Sequence, residues 1–267
     1  MKEIFKENYK ESGNKFSLES IFSKQPEYIV LKDFFSQEMR TFFLELNRVF
    51  NDKYQPSDGY TSLPRPFGGY LGEKRVVGYQ REIDYIYAKS NFEIIEKVKA
   101  QFASLLDYSV VFSDSNHNYS HSKSFFALRE LESKKGSFDI HCGNYFNDWN
   151  KEFFDYQGQF LEPRNHLSFL SVLQQHKFDP AINIFHVNWN DYQDRVDLEH
   201  LISNKGDKVN VASLAKTAVK LNPGDLLIFN ESHFWHQVPQ FEANVNRITL
   251  GGFISKFSGK DQHYFWA

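Results

Sequence analysis

Apolar residues between Gln37 and Phe50 fall at Met39, Phe42, Phe43, Leu46, Val49 and Phe50. That i, i+3, i+4, i+7 spacing puts them on one stripe of an amphipathic helix. A second helix is expected over 91–106, where Asn91 can cap and Phe92, Ile95, Val98, Phe102 and Leu105 form the stripe. The short β-branched run Glu27–Leu31 reads as a strand, and 79–88 alternates well enough to be read as another. After a polar Ser/Asn/His loop (113–123) the pattern becomes strand-like, near 124–131, 137–142, 167–174, 181–189, 217–221, 225–230, 234–238 and 246–256. Between these, 191–212 reads as a polar, partly helical excursion. Residues 51–72 are punctuated by Pro and Gly and rich in aromatic rings, which suits either a lid or a connection packed by its own rings. Residues 1–25 are polar with scattered Phe and Ile, and a loosely docked extension is expected there. Helices followed by about eight strands predict an α+β, mainly β chain. The expectation is one domain over 26–267, with a helical part (26–123) packed outside a two-sheet jelly roll.

Composition narrows what such a body does. Of 267 residues, 28 are Phe, 14 Tyr and 4 Trp, so the chain can bury a large core and general disorder is excluded. The formal net charge is only −3, which supplies no basic field for nucleic acid. With one cysteine, Cys142, neither an internal disulfide nor a Cys-rich metal site is possible, and a reducing cytoplasm is the expected setting. No window has the roughly 18 apolar residues of a spanning helix. No membrane association and no protein partner is evident; a small-molecule substrate is expected. Ten histidines remain to be explained.

The most informative stretch is Leu221–Phe257. Asn222-Pro223-Gly224-Asp225 is a tight turn, in which Pro presets φ and Gly supplies a positive one. A buried strand follows, then His236-Gln237-Val238-Pro239, then Arg247-Ile248-Thr249. Arg247 and Thr249 are two apart on a strand and share a face. In this order and spacing the segment resembles the iron(II)/2-oxoglutarate-dependent oxygenase superfamily. The resemblance implies a double-stranded β-helix (cupin-like jelly roll) using Fe(II), 2-oxoglutarate and O2. It makes His236 a metal ligand, and makes Arg247 and Thr249 the holders of the far carboxylate of 2-oxoglutarate. A guanidinium fork suits that carboxylate because it binds bidentately. His233 competes for the ligand role but lacks the Val-Pro context of His236, and is read as a supporting or core residue.

The superfamily also needs a first-half His-x-Asp or His-x-Glu. The matching segment, Phe125–Phe146, offers His141 as the second ligand, but Gly143 stands where the acid belongs. The radical halogenases of this superfamily are similar in this respect: the missing carboxylate leaves a position for chloride. The resemblance therefore implies a halogenase acting on an unactivated C–H bond, with a free amino acid as the preferred substrate. Three alternatives stay open: a hydroxylase using Asp139 or Asp148, an inactive relative, and a non-catalytic cupin-like binding protein. Asn144 and Trp149 are candidate pocket residues, and Glu130 with Arg75 or Arg81 would suit an amino-acid substrate. Cys142 alternates away from the site as a small buried hydrophobe. The C-terminal Tyr264-Phe265-Trp266 reads as an aromatic latch or a cover for the pocket mouth.

Overall fold

A computed structural model describes residues 3–6, 18–22, 28–51, 60–64, 81–88, 92–106, 109–113, 124–146, 151–159, 161–175, 181–197 and 199–267. The first half carries β1 (Glu3–Lys6), α1 (Glu19–Phe22), β2 (Tyr28–Leu31), α2 (Gln37–Asn51), β3 (Tyr60–Leu63), α3 (81–88), α4 (Phe92–Leu105), β4 (Ser109–Phe112), β5 (Ala127–Leu131) and β6 (Phe138–His141). Then come a 3-10 turn (Gly143–Phe146), α5 (Lys151–Gln157), β7 (Leu161–Gln174), β8 (Ile182–Asn188), β9 (Tyr192–Asp197), β10 (His200–Ser203) and β11 (Lys208–Asn210). The chain closes with β12 (Lys216–Val219), β13 (Leu226–Phe229), β14 (Phe234–Val238), β15 (Arg247–Phe257) and β16 (Gln262–Trp266).

Two sheets face one another. The larger runs β1-β2-β13-β7-β15-β16-β4, with β5 also paired to β15 and β3 to β5; the smaller runs β12-β8-β14-β6. β13 shows why they stack. Its run LLIF is apolar at every position, so both faces are buried. Leu226 and Ile228 pack toward the helices, with Phe43, Ile95, Phe102 and Leu250. Leu227 and Phe229 pack toward the smaller sheet, with Ile184, Phe234 and Val238. This is a double-stranded β-helix with helices covering the outside of the larger sheet. The turn before β13 closes as its residues dictate: Gly224 takes φ +101°, and the Asp225 carboxylate accepts from the Asn222 amide at 2.8 Å. No helix among the described residues is long and apolar enough to cross a membrane.

Three local expectations are corrected. Residues 81–88 form a helix, not a strand. Buried positions fall at Glu82, Ile83 and Ile86, a spacing that eight residues hardly distinguish from alternation. The excursion at 191–212 is the small sheet β11-β10-β9 ending in a 3-10 turn (Val211–Ser213). Leu201 and Val211 of that segment join the third core and Tyr192 packs against it, so its apolar pattern is too sparse to read. Nor are the described parts of 1–25 loosely docked: β1 pairs in parallel with β2, and Leu18, Ile21 and Phe22 lie in the main core. Of the loop 51–72, residues 60–64 are described; β3 within them is an added edge of the larger sheet.

Candidate metal centre

β6 and β14 are antiparallel neighbours, and their register sets His141 opposite His236 with ring centroids 4.1 Å apart. Each ring is oriented by its own strand. His141 Nδ1 lies 2.5 Å from the Asp139 carbonyl, and His236 Nδ1 lies 3.1 Å from the Phe234 carbonyl. A carbonyl only accepts, so Nδ1 carries the hydrogen in both rings, and in the neutral imidazole Nε2 then carries the lone pair. Burial lowers the pKa of both. His141 is lowered further by the Arg195 and Arg129 guanidiniums, and His236, facing His141, falls to about 3. Both are therefore neutral, the form that binds metal.

The third group was not read from the sequence. Glu231, in the turn between β13 and β14, is 8% exposed. His141, Glu231 and His236 each offer a ligand atom, all within 4.8 Å of one another. Glu231 Oε1 accepts from His166 Nε2 at 2.8 Å. Its Oε2 lies 3.4 Å from His236 Nε2. Burial alone raises the pKa of this carboxyl, but its interactions with His166, the hydrogen bond first, hold it low. An anionic oxygen thus faces a bare nitrogen lone pair in a buried place. Two acceptors with no proton between them repel, and a cation between them turns the contact into attraction. Two neutral imidazoles and one carboxylate are the donor set of non-haem iron(II).

Gly143 is required by this arrangement. Its amide donates to the Glu231 carbonyl at 2.8 Å, and the Asn144 amide donates to the Ser232 carbonyl at 3.1 Å, so the two turns are clasped together. A Cβ on residue 143 would stand 2.6 Å from His166 Nε2 and 3.0 Å from Glu231 Oε1. The space left by the missing side chain is filled by the His166–Glu231 pair. In the sequence the signal for Glu231 is no more than its place between two apolar strands.

A cavity of about 530 Å³ opens above these groups. Phe138, Phe154, Phe253 and Trp266 give it an aromatic wall, and Arg129, Arg195 and Asp139 bring charge to it. Trp266 belongs to the C-terminal latch, which pairs with β15 and also reaches the cavity.

The remaining sequence candidates fall in different places. Arg247 and Thr249 are buried on the face of β15 that also carries Phe253, a cavity residue. Thr249 is paired across the sheet with Arg129, whose carbonyl accepts from the Thr249 hydroxyl at 3.4 Å. Arg129 lines the cavity, together with Arg195, whereas Arg247 is not among the lining residues. Glu130 points the other way, so its expected place in the substrate pocket is corrected. It accepts from Asn47 and Asn246 at 2.6 Å each, and from Asn51, tying α2 to the sheet. Asn144 is 3% exposed, and its side-chain amide donates to the Arg164 carbonyl at 3.2 Å. It braces the turn and is not among the cavity-lining residues. Asp139 sits at the cavity, 4.0 Å from Arg195, outside the cluster of ligand atoms. Arg75, Asp148 and Trp149 lie outside the described residues. His233 is not in the cluster, and Cys142 is fully buried among Ile140, Phe185 and Trp235 on the far side of the smaller sheet.

Comparison with solved structures finds two proteins of nogalamycin biosynthesis, both non-haem α-ketoglutarate-dependent. The carbocyclase SnoK is 11% identical with a TM-score of 0.49; the epimerase SnoN is 10% identical with a TM-score of 0.45. Each alignment covers 91% of this chain and 86% of the other. No curated protein matches the sequence significantly. One family model, that of the carrier-protein-independent halogenase WelO5, matches residues 10–267. Nearly the whole chain is matched, so the protein belongs to the WelO5 family and is an iron(II)/2-oxoglutarate-dependent oxidoreductase.

Proposed function

We propose that the protein chlorinates an unactivated C–H bond of a free small molecule. The observation that carries this reading is Gly143, two residues after His141, where the superfamily's carboxylate would stand. Iron(II) and 2-oxoglutarate, when bound, supply the oxidising power. The balance is R–H + 2-oxoglutarate + O2 + Cl⁻ + H⁺ giving R–Cl, succinate, CO2 and H2O. His141 and His236 hold the metal through Nε2. Arg247, with Thr249 on the same face, holds the far carboxylate of 2-oxoglutarate by a charge-assisted fork. The family's independence of carrier proteins supports a substrate that enters free.

The cavity supports a substrate with an apolar body and a charged head. Its aromatic wall excludes water from the reacting carbon. Arg129 and Arg195 suit a carboxylate, and Asp139 suits an ammonium. A free amino acid with a bulky apolar side chain matches that description, and a cytoplasmic setting goes with it. A second reading, hydroxylation, is favoured by one observation: the buried Glu231 carboxylate beside both histidines. In that reading the acid is Glu231 and not Asp139. The test is incubation with iron(II), 2-oxoglutarate, O2 and chloride across an amino-acid panel, followed by mass spectrometry. A product with the chlorine isotope pattern supports the proposal. A product that gains only oxygen, at saturating chloride, overturns it in favour of hydroxylation.

A further inference from the structure

The His166 ring and the Glu231 carboxylate together occupy the space beside Gly143, and this bears on how halide enters. A halide at that position is a monoanion needing the same metal charge and the same volume. Two anions so close, in a buried place, exclude one another. Glu231 is also well held. One oxygen is fixed by His166, its carbonyl is clasped by the Gly143 amide, and the other oxygen lies 3.4 Å from His236 Nε2. The simplest alternative is that Glu231 only partners His166. That leaves unexplained why a ligand atom of Glu231 lies within 4.8 Å of those of both His141 and His236.

We propose that Glu231 is a displaceable third metal ligand, which closes the position opened by Gly143 until a halide takes it. The inference rests on the halogenation reading and adds its regulation: Glu231 sets the halide concentration the enzyme needs. It also gives the His166 hydrogen bond a purpose, as the anchor to which the carboxylate retracts.

Cobalt(II) binding and its visible spectrum test this without turnover. In chloride-free buffer, Glu231→Gln binds Co(II) at least about tenfold more weakly than wild type, since losing even a group that only supports the ligands costs that much. Titrated with chloride, the variant's Co(II) spectrum shifts at a lower concentration than that of wild type, because the internal competitor is gone. Should Glu231→Gln fail to fold, as its metal-free melting curve would reveal, Glu231→Asp carries the same test. It keeps the charge but withdraws the carboxylate by one methylene, and the same loss and gain are expected. Equal Co(II) affinity in wild type and a folded variant overturns the inference while leaving halogenation standing. A weaker variant in which neither protein responds to chloride overturns displacement and the halogenation reading together, and makes Glu231 a permanent ligand.

Discussion

At the scale of single residues, the centre depends on one absent side chain and one buried acid. Because a Cβ at position 143 lands on His166 and Glu231, Gly143→Ala must push aside a pair held from several sides. Overpacking of this kind costs about 1–3 kcal/mol. The expected result is a lower melting temperature together with weaker metal binding; an unchanged melting curve would show that the pair has room to move. Cys142 gives a second residue-scale prediction. It is fully buried, and burial pushes its thiol well above the usual range. Iodoacetamide at mildly alkaline pH is therefore expected to leave the folded protein unlabelled and to modify it fully in denaturant. Rapid labelling of the folded protein would contradict the placement of Cys142. Of the groups that meet at the centre, His141, Gly143 and His236 stand out in the sequence because each sits in a local pattern with a known spacing. Glu231 and His166 do not. They come from a turn and a strand 65 residues apart and meet through the pairing of β13 with β7 in the larger sheet.

At the scale of elements, the long periodic segments were legible and the short or solvent-facing ones were not. α2 and α4 announce themselves by apolar stripes, and β13 and β14 by dense apolar runs around a Pro-Gly-Asp turn. The helix at 81–88 was missed because eight residues fit two periods, and β9–β11 because that sheet buries few side chains. Glu130 shows how a strand position changes meaning with its face. Alternation along β5 sends Arg129 into the cavity and Glu130 against α2. Glu130→Ala removes the acceptor for amides from Asn47, Asn51 and Asn246. Leaving partly buried donors unmet costs about 1–3 kcal/mol. Urea unfolding is expected to show that loss, with iron and 2-oxoglutarate binding intact. Intact stability with lost substrate binding would return Glu130 to the pocket.

At the scale of the whole molecule, two sheets bring a histidine pair on the smaller one beneath arginines on the larger one, with aromatic walls between. The fold divides the arginines: Arg247 is buried, while Arg129 lines the cavity. Arg247→Ala is expected to weaken 2-oxoglutarate binding by tenfold or more, about 1.4 kcal/mol or above. Arg129→Ala is expected to act chiefly on substrate. Calorimetric titration of each variant with 2-oxoglutarate checks this assignment, and the reverse ranking would exchange the two roles. The central claim is that this is an iron(II)/2-oxoglutarate centre with a place for halide, and anaerobic absorption spectroscopy tests it most directly. Adding 2-oxoglutarate to the iron(II) protein should produce a visible metal-to-ligand charge-transfer band, and chloride should then shift that band. A band that forms but ignores chloride at every concentration, in wild type and in Glu231→Gln alike, would contradict the account.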